Sequence, residues 1–315
     1  PAYSYEFTDT AWHVLTEFIL PGIVGRDAEG PEDILAPVHW VRGHNMAKAA
    51  VEMAGWDLAA RAEGVSLSQK LGGDRDVVPV GVSIGLKATD EELHENVEGY
   101  LDDGYARVKI KIKPGRDIDM LAGLRERFPD VAFMADANSA YTLNDVARLR
   151  ELDALDLMMI EQPLSYDDFL DHARLQEQIS TPVCLDESIK SEGDLSLALE
   201  LGSCQIVNIK PGRVGGFGVS RRLHDTMQTR GLPVWCGGML ESGVGRACNV
   251  ALASLPGFTL PGDISASQRY WEQDIVIPEF EVEDGVMRVP TGVGLGVDLD
   301  LDRIRGLTVR EAVFS

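Results

Sequence analysis

An α/β fold built on a closed (β/α)8-type, modified TIM barrel with a partial α+β capping domain is predicted by three observations. Short β-branched runs recur eight times at near-constant spacing, amphipathic helical stretches separate them, and no glycine-rich phosphate loop follows the first run to indicate an open doubly wound sheet. The runs GVSIGL, RVKIKI, AFMADAN, LMMIEQP, PVCLDES, QIVNIKP, PVWCGGM and FTLPGDI begin at Gly81, Arg107, Ala132, Leu157, Pro182, Gln205, Pro233 and Phe258. A strand, a loop and a helix of three turns consume about 25 residues, which is the observed pace.

Each element follows from local pattern. Helical apolar spacing is expected over Asp117 to Arg127, Asn144 to Glu151, Tyr166 to Gln178, Glu192 to Leu201 and Gly218 to Thr229, several opened by Asp, Asn or Ser. Before the barrel, Asn45 to Ala62 reads as a helix with Ala47, Ala50, Val51, Ala54 and Leu58 on its apolar stripe, and Met53 and Trp56 read as packing residues. After the barrel, a hairpin-like turn is expected at Asp284-Gly285, followed by a glycine-rich loop. The expected division is residues 1–76 as the helical remainder of an N-terminal cap, 77–264 as the barrel, and 265–315 as a segment packing back on the cap. The chain opens on Pro1 with no initiator methionine and reads as the middle of something, so residues upstream are expected.

Composition excludes several function classes. A chain of 315 residues, 44% hydrophobic, can bury a full-sized core. With 51 acids against 29 bases and a formal charge of -22, it repels nucleic acid and anionic membrane, both of which demand a basic face. No apolar run approaches the roughly 18 residues of a membrane span, and PAYSYEFTDTAWHVL lacks the form of a secretion signal, so a cytoplasmic location is expected. Cys184, Cys204, Cys236 and Cys248 are too scattered for a zinc knot or disulfide framework and are expected to be buried free thiols. The expected partner is a small-molecule substrate, and the expected assembly a homo-oligomer.

In such barrels the chemistry lies at the C-terminal strand ends. Three consecutive strands end there in a carboxylate: Asp136, Glu161 and Asp186, with 25 residues between each and the next. Three anions on one rim repel unless a cation neutralises them, and hard oxygen donors select Mg²⁺ or Mn²⁺. On RVKIKIK, alternation places Lys109, Lys111 and Lys113 on one face and Val108, Ile110 and Ile112 on the other. The aliphatic face must meet helices, so the lysines point into the barrel or its mouth. Lys113, beside Pro114-Gly115, reads as solvated. Mutual repulsion and desolvation are expected to lower the pKa of the amines. Lys210 ends the sixth strand with Asn208 on its face, across the barrel from the second. Lys111 and Lys210 therefore face each other over the metal, which suits removal of a proton from one side of a carbon and its return on the other. None of the six histidines falls at a strand end, and no G-x-S-x-G elbow or Walker loop is present.

The K-x-K, D-A-N, E-Q-P, D-E-S and K-P-G-R-x-G-G signatures on strands two to six resemble the muconate-lactonizing subgroup of the enolase superfamily. Within it, AKAAVEMAGWDLAAR and WCGGMLESGVGRA resemble the o-succinylbenzoate synthase / N-succinylamino acid racemase family, from about Ala47 to Gly296. Trp235-Cys236-Gly237 stands where the mandelate racemase subgroup would carry a histidine. The resemblance implies that Asp136, Glu161 and Asp186 bind Mg²⁺, that Lys111 and Lys210 are the acid/base pair, that Lys109 stabilises the substrate carboxylate or tunes Lys111, and that Asn138 lies beside the metal. It further implies that Ser83, Gly238, Met239 and Ile264 line the pocket for an acyl tail, and that a three-stranded sheet with a covering loop precedes Pro1. The implied chemistry is metal-assisted abstraction of a proton α to a carboxylate through an enediolate. Racemisation of N-acyl or N-succinyl amino acids is the favoured outcome, with dehydration to o-succinylbenzoate beside it. Cycloisomerase or dipeptide epimerase chemistry is the alternative within the subgroup. A Schiff-base aldolase using Lys210 is the remoter one, and it leaves the carboxylates unexplained.

Overall fold

A computed structural model of the chain describes residues 3–314. Seven parallel strands form a continuous curled sheet in sequential order: β1 Gly81–Ile84, β2 Arg107–Lys111, β3 Ala132–Asp136, β4 Ile160–Glu161, β5 Val183–Leu185, β6 Ile206–Ile209 and β7 Val234–Cys236. The eighth run is not a regular strand, yet it closes the ring. Val234 bridges Phe258, Val80 bridges Gly262, and single backbone bonds join Asp263 N to Cys236 O (2.9 Å) and Gly81 N to Gly262 O (2.7 Å). Pro261 interrupts any longer ladder because it has no N–H to donate.

Alternation along the strands separates two packed layers. Outward residues such as Val108, Ile110, Phe133, Ile160, Leu185, Val207 and Ile209 join the large core beneath the helices. Inward residues Met134, Met159, Cys184, Ile206 and Trp235 form a separate plug inside the barrel, below the strand ends. The helices Ile118–Arg127, Glu192–Leu201 and Phe217–Thr229 occupy the expected stretches. The second expected stretch, Asn144 to Glu151, differs. Leu143–Asp145 and Arg150–Ala154 are 3-10 turns flanking one α-turn, Val146–Leu149. Its buried Leu149, Leu152 and Leu155 recur every third residue, the period of a 3-10 helix. The third, Tyr166 to Gln178, shrinks to Leu170–Gln176.

The cap helix spans Asn45–Glu63 and stops at Gly64, which adopts a left-handed φ of 71°. Its N-terminus is capped from a distance by Glu6, whose carboxylate accepts from Met46 N (3.0 Å) and Ala47 N (3.2 Å). Of the expected stripe only Ala47 is buried and Val51 half-buried, while Ala50, Ala54 and Leu58 are exposed; the buried face runs through Ala49, Glu52, Trp56 and Ala60. Glu52 explains the rotation. Its carboxylate accepts from Phe217 N (2.7 Å), Gly218 N (2.8 Å) and Trp56 Nε1 (2.8 Å), capping the helix that follows β6. An inward charge with a fixed task is invisible to an apolar count.

The hairpin turn falls at Asp284-Gly285, both with positive φ (49° and 75°), and Val286–Arg288 pairs antiparallel with Val77–Pro79 ahead of β1. Past it the chain returns to the cap: Leu67 N donates to Gly294 O (2.7 Å) and Leu295 N to Asp57 Oδ1 (2.7 Å). Among the described residues no helix is long and apolar enough to cross a membrane, and all four cysteines are buried free thiols.

Candidate active site

Strand register assembles the site. Lys111 pairs with Asp136 across β2 and β3, and Asp136 pairs with Glu161 across β3 and β4. Asp186 follows β5, and Lys210 follows β6 directly. All three carboxylates are essentially fully buried. Lys109 donates to Glu161 Oε2 (2.9 Å) and also sits 3.1 Å from Asp136 and 2.6 Å from Asp263. Lys111 Nζ donates to Asp136 Oδ2 (2.6 Å) and to Asn138 Oδ1. Lys210 Nζ donates to Asp186 Oδ2 (2.8 Å) and to the Tyr3 phenol (3.1 Å), whose ring centroid lies 4.5 Å away. Gly237, after β7, leaves room here, since a side chain there would run into Asn208 and Lys210.

Lys109 and Lys210 are not lowered as repulsion between lysines alone would have it. Burial does oppose the charge on Lys109, but Asp263, Glu161 and Asp136 outweigh it and hold the amine well above its usual range. At Lys210 burial is likewise outweighed by Asp186, then Tyr3 and Glu161, and the amine is raised. Carboxylates, rather than other lysines, are the nearest neighbours. Lys113 is exposed, as a solvated lysine should be.

Among the described residues no three His, Cys, Asp or Glu side chains are drawn together as a ready coordination shell. The cause is visible: Lys109 lies between Asp136 and Glu161, while Lys210 and Arg213 hold Asp186. The donors nonetheless suit a hard divalent cation, because every candidate is oxygen. Glu161 is pushed up to about 8, by burial and then by the charge of Asp136, so the surrounding amines leave it under-compensated. Two buried acceptors nearby, Asn208 Oδ1 and Glu187 Oε2, have no hydrogen-bond partner among the described residues.

Lys109, Lys111, Asn138 and Lys210 line a cavity of about 240 Å³, with Ser83, Gly238 and Met239 on its walls. Ile264 is buried in the core and is not among its lining residues. A larger cavity, about 450 Å³, lies among Phe280, Met287, Arg288 and Gly292, remote from this cluster of amines and carboxylates.

Several residues of the site were not singled out from sequence. Asp263 closes the eighth run at the same phase as the other carboxylates, a signal that was available; its carboxyl is held low, as Lys109 and Arg107 overcome the effect of burial. Glu187 and Arg213 stand inside recognisable motifs. Glu187 accepts from Asn138 Nδ2 (2.9 Å) and is pushed up to about 7 by burial and the neighbouring Asp186. Arg213 pairs with Asp186 and donates to Ile189 O (2.7 Å). Leu240, Ser265 and Tyr270 complete the cavity wall. Tyr3 carries no local signal at all, lying 207 positions from the lysine it touches.

The model of the family described as "Enolase C-terminal domain-like" matches residues 92–303, and that of the "Mandelate racemase / muconate lactonizing enzyme, N-terminal domain" matches residues 5–72. The chain is 52% identical, over all of its length and 84% of the relative's, to an o-succinylbenzoate synthase of Geobacillus stearothermophilus. It is 49% identical, over its full length and 85% of the relative's, to an N-succinylamino acid racemase of Thermus thermophilus. A crystal structure of an enolase superfamily member from Listeria innocua superposes with a TM-score of 0.93 at 46% identity, covering 96% of this chain and 82% of that one. Fold, strand-end carboxylates and sequence kinship agree, and the chain belongs to the enolase superfamily, in its mandelate racemase / muconate lactonizing enzyme family.

Proposed function

We propose that the chain is a divalent-metal-dependent enzyme that removes the proton α to a substrate carboxylate, racemising N-succinyl or other N-acyl amino acids and, in the same site, dehydrating the precursor of o-succinylbenzoate. The observation that carries this is the opening of two amines, Lys111 on β2 and Lys210 after β6, into one cavity beside three buried carboxylates. Asp136, Glu161 and Asp186 would hold Mg²⁺ or Mn²⁺, which when bound supplies positive charge to the oxyanion that develops on the substrate carboxylate.

The remaining work falls to the chain's own groups. Lys109, caged by carboxylates, is a fixed cation facing the substrate carboxylate. Lys210 Nζ, held charged by Asp186, delivers a proton to one face of the α-carbon, and Lys111 Nζ, the more exposed amine, takes one from the other. The reverse reaction exchanges the roles. Departure of a β-hydroxyl as water, carrying off the proton that Lys111 Nζ has taken, in place of reprotonation of the carbon gives an alkene, so one set of residues serves both outcomes. Ser83, Gly238, Met239 and Tyr270 receive the acyl tail. Relatives named for the one activity and relatives named for the other both align along the whole chain, which supports both substrates.

The test is a turnover screen with Mg²⁺ or Mn²⁺, using N-succinyl- and N-acetyl-amino acids by polarimetry and the o-succinylbenzoate precursor by absorbance. Turnover of either class is expected. No turnover of both, with metal demonstrably bound, removes the assignment.

A further inference from the structure

We propose that Gln162 is a positioning residue that sets the three carboxylates against one another and thereby determines metal affinity; this rests on the metal reading above. Gln162 follows Glu161 directly, is completely buried, and has a φ of 39°. That left-handed conformation is one a residue with a side chain holds only when its surroundings enforce it. Here the enforcement comes from each of the three strand-end loops. Its N–H donates to Cys184 O on β5 (2.9 Å), and its carbonyl accepts from Ser139 N, in the turn that follows Asp136 (2.8 Å).

The side chain completes the link. Gln162 Oε1 accepts from Asp186 N (3.0 Å) and Ser188 N (3.3 Å). Nε2 donates to Ser188 Oγ (2.7 Å) and Ser165 O (3.2 Å). One amide therefore ties the backbone of Asp186 to the loop that begins at Glu161, while the main chain of the same residue ties Glu161 to the Asp136 turn. A small divalent cation demands near-ideal ligand placement, so play between these loops is felt in binding before it is felt in folding.

The test is a Mn²⁺ titration of the purified chain without substrate, reading free Mn²⁺ by electron paramagnetic resonance, with melting temperature measured in parallel. Gln162→Met keeps the volume and removes the amide, and it is expected to raise the Mn²⁺ Kd by about ten- to a hundredfold in protein still folded by circular dichroism. Leu175→Ala, a core truncation on Leu170–Gln176 without a bond to the strand ends, is expected to lower the melting temperature while leaving Kd within about twofold. Should Gln162→Met not fold, Gln162→Glu decides. It retains an acceptor for Asp186 N–H but sets a carboxylate against Ser165 O, and its Kd must still rise. Unchanged Kd in the Gln162 variants, or equal weakening in Leu175→Ala, overturns the positioning role alone. A wild-type chain that binds no Mn²⁺ overturns the metal reading with it.

Discussion

Lys109, Lys111 and Lys210 are chemically identical, and the fold gives each of them different surroundings. Lys109 is enclosed by three carboxylates and remains a charge. Lys111 ends on Asp136 and Asn138, and Lys210 on Asp186 and Tyr3, at separate places on the cavity wall. Proton transfer needs near-contact geometry that only one face of the α-carbon offers each amine. In deuterated water, Lys111→Ala is therefore expected to stop α-proton exchange of one enantiomer of an N-succinyl amino acid and Lys210→Ala that of the other, while both lose racemisation. Proton NMR of both enantiomers checks this. Loss of exchange from both enantiomers in one variant, with the other unaffected, refutes the two-base arrangement. Alternation along RVKIKIK and QIVNIKP was enough to turn these side chains inward. The partners that differentiate them come from far along the chain: Asp263 ends the eighth run at a phase the sequence offered, whereas Tyr3 could only be found by folding it.

At the scale of elements, the connections carry as much design as the strands. Glu52 satisfies the first N–H groups of Phe217–Thr229, the helix behind the lysine-bearing β6. Glu52→Ala strands those donors and the Trp56 indole in a buried place, which should cost about 1–3 kcal/mol in urea unfolding; a change near zero would show that water replaces the carboxylate. The loop after β4 is held by His172, whose Nε2 accepts from Leu164 N (3.1 Å) while Nδ1 faces Asp168 (2.9 Å), an arrangement that requires a neutral ring. Burial lowers the imidazole below its ordinary 6.5, against the pull of Asp168. Between that depressed value and 6.5 the unfolded chain binds the extra proton, so this contribution to stability is complete above 6.5 and is lost as pH falls through the folded value. NMR titration should find the His172 ring still neutral at pH 6.5; a midpoint at or above 6.5 contradicts the arrangement. The Leu143–Ala154 turns and the irregular eighth run show where periodicity misleads. Leucines at every third position and a proline within an apolar run are compatible with a helix or a strand until backbone hydrogen bonds decide.

At the scale of the molecule, the barrel brings together carboxylates that the chain holds 25 residues apart. Their proximity costs electrostatic energy that a bound cation would offset, so metal binding is expected to raise stability as well as activity. Chelation should abolish turnover and lower the melting temperature, and Mg²⁺ or Mn²⁺ at a hundredfold excess over Kd should restore about 2.7 kcal/mol. Full turnover in chelator-treated protein would exclude the metal. By itself the sequence determined the strand and helix alternation, the inward phase of Asp136, Glu161, Asp186, Lys111 and Lys210, and their common rim, because period, register and strand-end position are local properties that a one-dimensional pattern records. Only the tertiary structure decided which face of Asn45–Glu63 is buried, how the barrel closes through Phe258 to Asp263, and that Arg213, Tyr3 and Gln162 surround the site. Those outcomes depend on which polar group meets which across more than a hundred residues, or on a single side chain reaching a neighbouring loop, and neither leaves a period in the sequence.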